Sequence, residues 1–268
     1  MRSSRSHIKT SLNDADLHAC SPQAVPQPGC VFGFYVKGGR KRHSWSDALA
    51  AADTVKQHLQ CIMGRYTRLV IYEDLGLIVG QTLPSTEEEP QRNSQSVSRS
   101  PDVYLSGAMR FRSRSSEVVG AAKVRHSGSR NILATAYAAA GIECLKLVSG
   151  TFVAIVVDRT AKTALVFNDP VGMERLLTYE RDGIVGFSND ARLILRAFPG
   201  AREFDPDGLS RFLTYGSTYG SVSLFSGVGV IPPGTYFDLR PGSDWKPRAY
   251  NDLKAPAAGR KSNLEDFV

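Results

Sequence analysis

Several residue patterns that would indicate particular protein classes are missing from this sequence. The four cysteines, Cys20, Cys30, Cys61 and Cys144, stand too far apart for the ligand spacing of a zinc site, and the five histidines are dispersed. Neither a metal centre nor a catalytic histidine cluster is therefore predicted. No apolar run approaches the roughly 18 residues that a membrane span needs, and no apolar signal core follows the basic start at Met1–Lys9. We expect a soluble, cytoplasmic protein with reduced thiols and no membrane partner.

The chain is basic, with a formal net charge of +7 over its 268 residues. Such a charge permits contact with nucleic acid or anionic surfaces. The basic residues are nevertheless scattered, apart from short clusters at Arg40–Arg42 and Arg110–Arg114, and no nucleic-acid-binding motif accompanies them. Nucleic acid is therefore not predicted as a partner.

Composition divides the chain into one domain with two tails. Residues 1–29 are polar and proline-containing, which predicts a disordered leader. Residues 30–245 carry the apolar segments and are predicted to form a single domain, interrupted by a mobile loop at residues 87–100. Residues 246–268 are rich in Pro, Ala, Gly, Lys and Asp, so we interpret them as a linker.

Hydrophobic periodicity predicts alternating strands and helices along this domain. Helices are expected at 47–59, 131–141, 191–198 and 205–216, and strands at 30–36, 68–72, 75–79 and 103–111. The centre of the chain predicts two successive hairpins, with strands at 152–157, 163–167, 175–179 and 184–187, and a last strand pair is expected within 227–239. Asn189 or Asp190 is the expected cap of the helix that follows the second hairpin. The pattern indicates antiparallel sheets combined with helices.

Four short motifs resemble segments of the asparagine synthetase family, in the same order and at similar spacing. Their matches are Gly150–Asp158 (GTFVAIVVD) to G-x-F-A-F-x-x-x-D, Asn168–Gly172 (NDPVG) to R-D-x-L-G, Phe187–Arg192 (FSNDAR) to F-A-S-E-x-K, and Leu224–Gly234 (LFSGVGVIPPG) to L-F-x-G-V followed by L-P-P-G. The resemblance covers residues 133 to about 250. Its specificity lies in the order of the motifs, because none is specific by itself.

The resemblance implies the amino-terminal, glutaminase-type domain of that family, which is a class II glutamine amidotransferase. The implied fold is α+β, an αββα sandwich of two antiparallel sheets between helical layers, as in the N-terminal-nucleophile (Ntn) hydrolases. The implied partner is a C-terminal synthetase domain, in cis or in trans, which would bind ATP and Mg²⁺. This sequence lacks the S-G-G-x-D-S loop of that domain, so no cofactor is predicted within the chain itself.

In that family an N-terminal cysteine attacks the amide of glutamine, and its own α-amine serves as the base. The candidate here is Cys30, which cleavage after Gly29 would expose, although Gly33 follows it one position earlier than the pattern C-G-I-x-G requires. Ser106 and Gly107 occupy the place of the Asn-Gly pair that forms the oxyanion hole. The asparagine is therefore replaced by serine.

Two further positions correspond to residues that bind the glutamine substrate. Arg68 matches the arginine that grips the carboxylate, and Ser129 occupies the segment that supplies an aspartate to the α-ammonium group. Arg130 follows Ser129 and would place a positive charge beside that ammonium group. The sequence therefore predicts a vestigial glutaminase site.

The predicted function is that of a glutaminase-like domain of an asparagine-synthetase-type amide ligase that has lost glutamine hydrolysis. It resembles in this respect the β-lactam synthetases and the cyclases of lasso-peptide pathways. Two alternatives remain open at this point. In the first, the chain is an active glutamine-hydrolysing fragment with Cys30 exposed by processing. In the second, it is a free-standing, non-catalytic interaction protein.

Overall fold

The computed structural model describes residues 30–38, 42–63, 67–82, 100–111 and 129–250. The predicted leader, residues 1–29, lies outside the described residues. So do residues 87–99 of the predicted mobile loop and residues 251–268 of the predicted linker. The expectations for these segments stay predictions.

Eleven strands and four α-helices are found within the described residues. In chain order they are β1 (Val31–Val36), α1 (Arg42–Met63), β2 (Thr67–Tyr72), β3 (Leu77–Thr82), β4 (Asp102–Phe111), α2 (Ser129–Ala140), β5 (Val148–Asp158), β6 (Thr163–Asn168), β7 (Leu177–Arg181), β8 (Ile184–Ser188), α3 (Ala191–Ala197), α4 (Pro206–Tyr215), β9 (Gly229–Val230), β10 (Thr235–Leu239) and β11 (Arg248–Ala249). Short 3₁₀ helices cover Glu73–Leu75, Gly141–Leu147 and Pro199–Arg202.

The strands form two antiparallel sheets. The first has the order β2-β3-β1-β8-β7-β9, and the second has the order β11-β10-β6-β5-β4. Every strand pair in both sheets is antiparallel. Because β11 pairs with β10, strand pairing continues to Ala249, past the boundary expected at residue 245.

Three apolar clusters hold the layers together. The outer face of the six-stranded sheet packs against α1 and α3, with Phe34 and Val55 among the buried residues. The two sheets face each other across a second cluster that includes Tyr35 and Val153. The outer face of the five-stranded sheet packs against α2 through residues such as Phe152. This helix–sheet–sheet–helix arrangement confirms the predicted α+β, αββα sandwich.

Several helix ends follow from local sequence. The carboxylate of Asp190 accepts the backbone N–H of Arg192 and caps α3, so Asp190 rather than Asn189 is the cap. Asp205 caps α4 in the same way, and Pro206 occupies its first turn. Gly216 ends α4 in the left-handed conformation at φ 71°. None of the described helices combines the length and the apolar character that crossing a membrane would require.

Both predicted hairpins of the central segment form, but they lie in different sheets. The hairpin β5–β6 belongs to the five-stranded sheet, whereas β7–β8 belongs to the other. The chain therefore crosses between the sheets from Asp169 to Leu176. The expected strand pair within 227–239 is likewise divided, since β9 pairs with β7 and β10 pairs with β6. Hairpin signals are local, and a crossing between layers depends on contacts distant in sequence.

Candidate active site

Four polar side chains from distant parts of the chain meet at one end of the sandwich. Cys30 immediately precedes β1, Asn189 immediately follows β8, Ser106 lies on β4, and Glu174 lies on the crossing between the sheets. Both sheets contribute to this group, which we call the Asn189 network.

Asn189 is the centre of the network. Its side-chain oxygen accepts the backbone N–H of Val31 (2.9 Å) and the thiol of Cys30 (3.4 Å). Its side-chain nitrogen donates to Ser106 Oγ (2.9 Å) and to Glu174 Oε1 (2.7 Å). An asparagine amide has two N–H donors and one carbonyl oxygen with two lone pairs, so its hydrogen-bonding capacity is fully used.

Ser106 takes part in the same set of hydrogen bonds. Its hydroxyl oxygen accepts from Asn189, and its proton is directed to Glu174 Oε1 at 3.4 Å. The residue is buried, with 3% of its surface exposed. The neighbouring Gly107 adopts φ +86°, and a Cβ there would lie 2.2 Å from the carbonyl oxygen of Thr151. Only glycine fits this position without a shift of the backbone.

Cys30 is held from two sides. Its carbonyl oxygen accepts the backbone N–H of Thr82 on β3 (2.9 Å), and its thiol donates to Asn189. Burial raises the pKa of the thiol well above its usual range, and the nearby charge of Asp190 raises this pKa further. The thiol is therefore neutral at physiological pH, although Ser188 and Arg192 act in the opposite direction.

Glu174 is held in place by the turn that the NDPVG motif forms. The Asp169 carboxylate is fully buried and accepts backbone N–H groups from Val171 (3.0 Å), Met173 (3.2 Å) and Glu174 (2.8 Å). Asp169 is thus a turn and hydrogen-bonding residue. It also fixes the backbone that presents Glu174 to Asn189.

The NDPVG motif also contacts the Pro-Pro-Gly motif. The side chain of Asn168 donates to the carbonyl oxygen of Pro232 (2.9 Å) and accepts the backbone N–H of Thr235 (2.9 Å). Gly172 approaches Pro233 closely, since a Cβ would lie 2.7 Å from Pro233 Cγ. Two motifs that are about sixty residues apart in the sequence thus support the same end of the sandwich.

Arg68 lies on β2 at this end of the sheet, outside the Asn189 network. It is in register with Gln81 of β3, which is in register with Val31 of β1, so Arg68 lies two strands, or about 10 Å, from Val31. Its guanidinium carbon lies 5.8 Å from the ring centroid of Tyr104. Gln81, which is buried, donates to the carbonyl oxygen of Leu105 (2.7 Å) and so links the two sheets.

Ser129 begins α2 and is more distant from the network. Its hydroxyl donates to the carbonyl oxygen of Met109 (3.1 Å). Met109 lies three residues along β4 from Ser106, a separation of about 10 Å in a strand. The predicted site residues therefore divide into a bonded group of Cys30 and Ser106, with Gly107 adjacent, and two more peripheral residues, Arg68 and Ser129.

A family model described as a glutamine amidotransferase domain matches residues 112–250 of this chain, which is just over half of its 268 residues. The chain belongs to the glutamine amidotransferase domain family. The matched residues include Glu174 and Asn189, whereas Cys30 and Ser106 precede them.

Two solved structures are similar to this amidotransferase domain. One is the glutamine phosphoribosylpyrophosphate (PRPP) amidotransferase from B. subtilis complexed with ADP and GMP, at 11% identity and a TM-score of 0.47. The other, described as the allosteric regulatory enzyme of purine biosynthesis, has 10% identity and the same TM-score. Each similarity covers 83% of this chain and 49% of the other, so the chain spans about half the length of these proteins. No curated protein sequence matches it.

Glu174 and Asn189 were not among the predicted site residues of this amidotransferase domain. Both could have been identified from the sequence, because Asn189 lies inside the FSNDAR motif and Glu174 follows NDPVG by two positions. The motifs indicated which segments matter, but only the structure shows which side chains face Cys30. Among the residues that the structure describes, no three His, Cys, Asp or Glu side chains converge as metal ligands would.

Proposed function

We propose that this amidotransferase domain does not hydrolyse glutamine in the unprocessed chain, and that it is the glutaminase-like domain of an asparagine-synthetase-type, ATP-dependent amide ligase. The observation that carries the first part is the closed Asn189 network. The Asn189 amide and the Ser106 hydroxyl donate to other members of the network, so neither donor is directed toward a substrate.

Two features of the network oppose hydrolysis. The nitrogen of Cys30 is part of the peptide bond to Gly29, so the α-amine that would take up the thiol proton does not exist in this chain. Burial keeps the Cys30 thiol neutral by raising its pKa. The unprocessed chain therefore lacks the base, and its attacking sulfur is held as the neutral thiol.

The oxyanion site is degraded as well. An oxyanion hole requires donors aimed at the developing charge. The Ser106 proton instead points to Glu174, whose carboxylate would also repel an oxyanion. Loss of one such donor costs about 10²–10³ in turnover. Arg130, at the start of α2 beside Ser129, adds a cation near the expected ammonium subsite.

The proposed ligase role rests on the four motifs that resemble asparagine synthetases. In this proposal the domain packs against a synthetase domain, in cis or in trans, which binds ATP and Mg²⁺ and adenylates a carboxylate for attack by an amine. The proposed site of action is the cytoplasm. Two of the motifs meet at the Asn168–Pro232 contact, which supports their function as one structural unit.

A second candidate is an amidotransferase that becomes active when cleavage after Gly29 exposes Cys30. The placement of Cys30 favours it. The residue stands at the start of β1, bonded to Asn189 and linked through Asn189 to Ser106, with Gly107 adjacent. A new α-amine would arise beside the thiol and supply the missing base.

An ammonia-release assay with glutamine separates these candidates. The samples are the full chain, a chain that begins at Cys30, and the Cys30→Ala variants of each, with Cys144→Ala as the control for a buried cysteine elsewhere. We expect no turnover from any of them. Turnover by the full chain that Cys30→Ala abolishes would overturn the proposal, and turnover only by the shortened chain would establish the second candidate.

A further inference from the structure

A second polar group lies between the two sheets, at the end opposite Cys30. Tyr72 Oη donates to Asp102 Oδ2 (2.8 Å) and lies 2.7 Å from Tyr104 Oη. Arg159 Nε donates to the same carboxylate oxygen (2.8 Å), and its guanidinium carbon lies 4.8 Å from the Tyr72 ring centroid. We call these four residues the Tyr72 network.

The direction of the hydroxyl bonds in this network follows from the acceptor. An ionised carboxylate only accepts, so the Tyr72 proton is used toward Asp102. Tyr104 must then donate to Tyr72. This bond fixes the hydroxyl end of the Tyr104 ring and so restricts the orientation of the ring itself.

The Tyr104 ring extends the network toward the Asn189 end of the domain. Tyr104 is 1% exposed, and its ring lies beneath the guanidinium of Arg68. Both residues face the layer between the sheets, because Arg68 alternates with Leu69, which packs on the helical side. Ser106, which belongs to the Asn189 network, lies two residues beyond Tyr104 on the same face of β4.

We infer that Tyr104, held by Tyr72 and Asp102, is a positioning residue that holds the Arg68 guanidinium over its ring. Its functional consequence rests on the role that the family resemblance implies for Arg68, as the residue that binds the carboxylate of glutamine. A long arginine side chain has many rotamers, and an aromatic face beneath its guanidinium selects among them. The tyrosine pair would thus preserve the carboxylate-binding part of a site that has lost hydrolysis.

The Nε–Hε NMR signal of Arg68 reports its position without requiring activity. In the ¹⁵N-arginine-labelled full chain, the signal is assigned by its loss in Arg68→Lys. We expect it to be displaced by the ring current of Tyr104 and to move toward the position of free arginine in Tyr104→Leu. Tyr72→Phe retains a ring but cannot hold the Tyr104 hydroxyl, so the signal should move part of the way.

The matched control is Tyr137→Phe, which removes a tyrosine hydroxyl bonded to Thr163 Oγ1 (3.1 Å) outside the network. It should leave the Arg68 signal unchanged. A free-arginine position in the wild-type chain would overturn the inference. The inference would also be overturned if Tyr72→Phe lowered the melting temperature but left the Arg68 signal unchanged. The tyrosine pair would then be only a structural contact.

A glutamine titration followed by calorimetry tests the underlying role of Arg68. If the wild-type chain binds glutamine, Tyr72→Phe should raise the dissociation constant by about fivefold, whereas Tyr137→Phe should not change it. An unchanged dissociation constant in Tyr72→Phe would contradict the inference. If the wild-type chain does not bind glutamine, the carboxylate role of Arg68 is wrong, and the NMR comparison still decides whether Tyr104 positions Arg68.

Discussion

The two ends of the layer between the sheets both contain polar groups, but they satisfy them differently. In the Asn189 network the central group is a neutral amide with all its hydrogen bonds formed to protein atoms. In the Tyr72 network the central group is the Asp102 carboxylate, shared by a buried tyrosine and by an arginine whose side chain is 54% exposed. One centre is an uncharged amide, and the other is a carboxylate paired with a solvent-exposed cation.

This difference determines which conditions each end responds to. The Asn189 amide is uncharged and does not titrate, so its hydrogen bonds should depend little on salt, and removal of the amide leaves several groups without partners. The Tyr72 network combines a surface ion pair with buried phenols. Its contribution should therefore depend on ionic strength and on alkaline pH.

Phe152→Ala gives the reference loss of stability with which both ends are compared, because it tests apolar packing alone. Phe152 is fully buried and packs edge-on against Phe167 at 5.7 Å between ring centroids. We expect the free energy of unfolding, measured by urea denaturation, to fall by about 3–5 kcal/mol. Phe212→Ala, at a residue that is 45% exposed, is the control and should cost much less. Equal losses for the two would remove Phe152 from the core.

Asn189→Ala should produce the next largest loss, about 2–3 kcal/mol in the free energy of unfolding. The variant leaves the Val31 N–H and the Glu174 carboxylate without their partner. Asn131→Ala, at an exposed asparagine of α2, is the matched control and should be close to neutral. A loss that is no larger for Asn189 than for Asn131 would show that the amide is not the centre of this end.

The dependence of the free energy of unfolding on alkaline pH should distinguish the Tyr72 network from the Asn189 network. Burial raises the pKa of Tyr104 to about 12 and raises that of Tyr72 still further. A raised folded-state pKa stabilises the protein below the ordinary tyrosine pKa near 10, and this stability is lost as pH rises through the folded value. Each tyrosine contributes up to about 1.4 kcal/mol of loss per pH unit in this window.

The double variant Tyr72→Phe with Tyr104→Phe should therefore lose less stability than the wild type between about pH 10 and pH 12. Denaturation curves at stepped pH measure the two slopes. Other tyrosines, such as the half-buried Tyr250, also have raised pKa values and contribute equally to both proteins. Identical slopes in the two proteins would contradict the assignment.

Arg159→Gln should have the smallest effect, about 0.2–1 kcal/mol, because its side chain is largely exposed. The loss should shrink further in 1 M NaCl, where the Debye length falls to about 3 Å. The loss caused by Asn189→Ala should not depend on salt. If salt affected both variants alike, the contrast between the two ends would be wrong.

Much of the fold was predictable because its signals are local. The apolar β-branched run from Phe152 to Val157 lies within β5, and the caps Asp205 and Gly216 mark the ends of α4 as expected. The helix α1, Arg42–Met63, is longer than the predicted 47–59 and extends beyond that range at both ends. Local periodicity thus located the elements better than their ends.

The site was only partly accessible to sequence reasoning. Cys30, Ser106 and Gly107 were identified through the family resemblance, and the structure places them together. Asn189 was interpreted as a helix cap, because a short polar residue before a helix is typical of that role. Asp190 performs it, which leaves the Asn189 amide free to meet Cys30 from across the sheet.

By itself the sequence determined the antiparallel hairpins, the caps of α3 and α4, and the family resemblance, since each depends on residues near one another in the chain. Tertiary structure decided which sheet each hairpin joins and which polar groups face one another. Asn189 and Cys30 are 159 residues apart, and Tyr72 and Tyr104 are 32 apart. The first contact forms when β1 and β8 pair within one sheet, and the second forms when the two sheets pack. In both, the partners are selected by the alternation of faces along strands that are distant in the sequence.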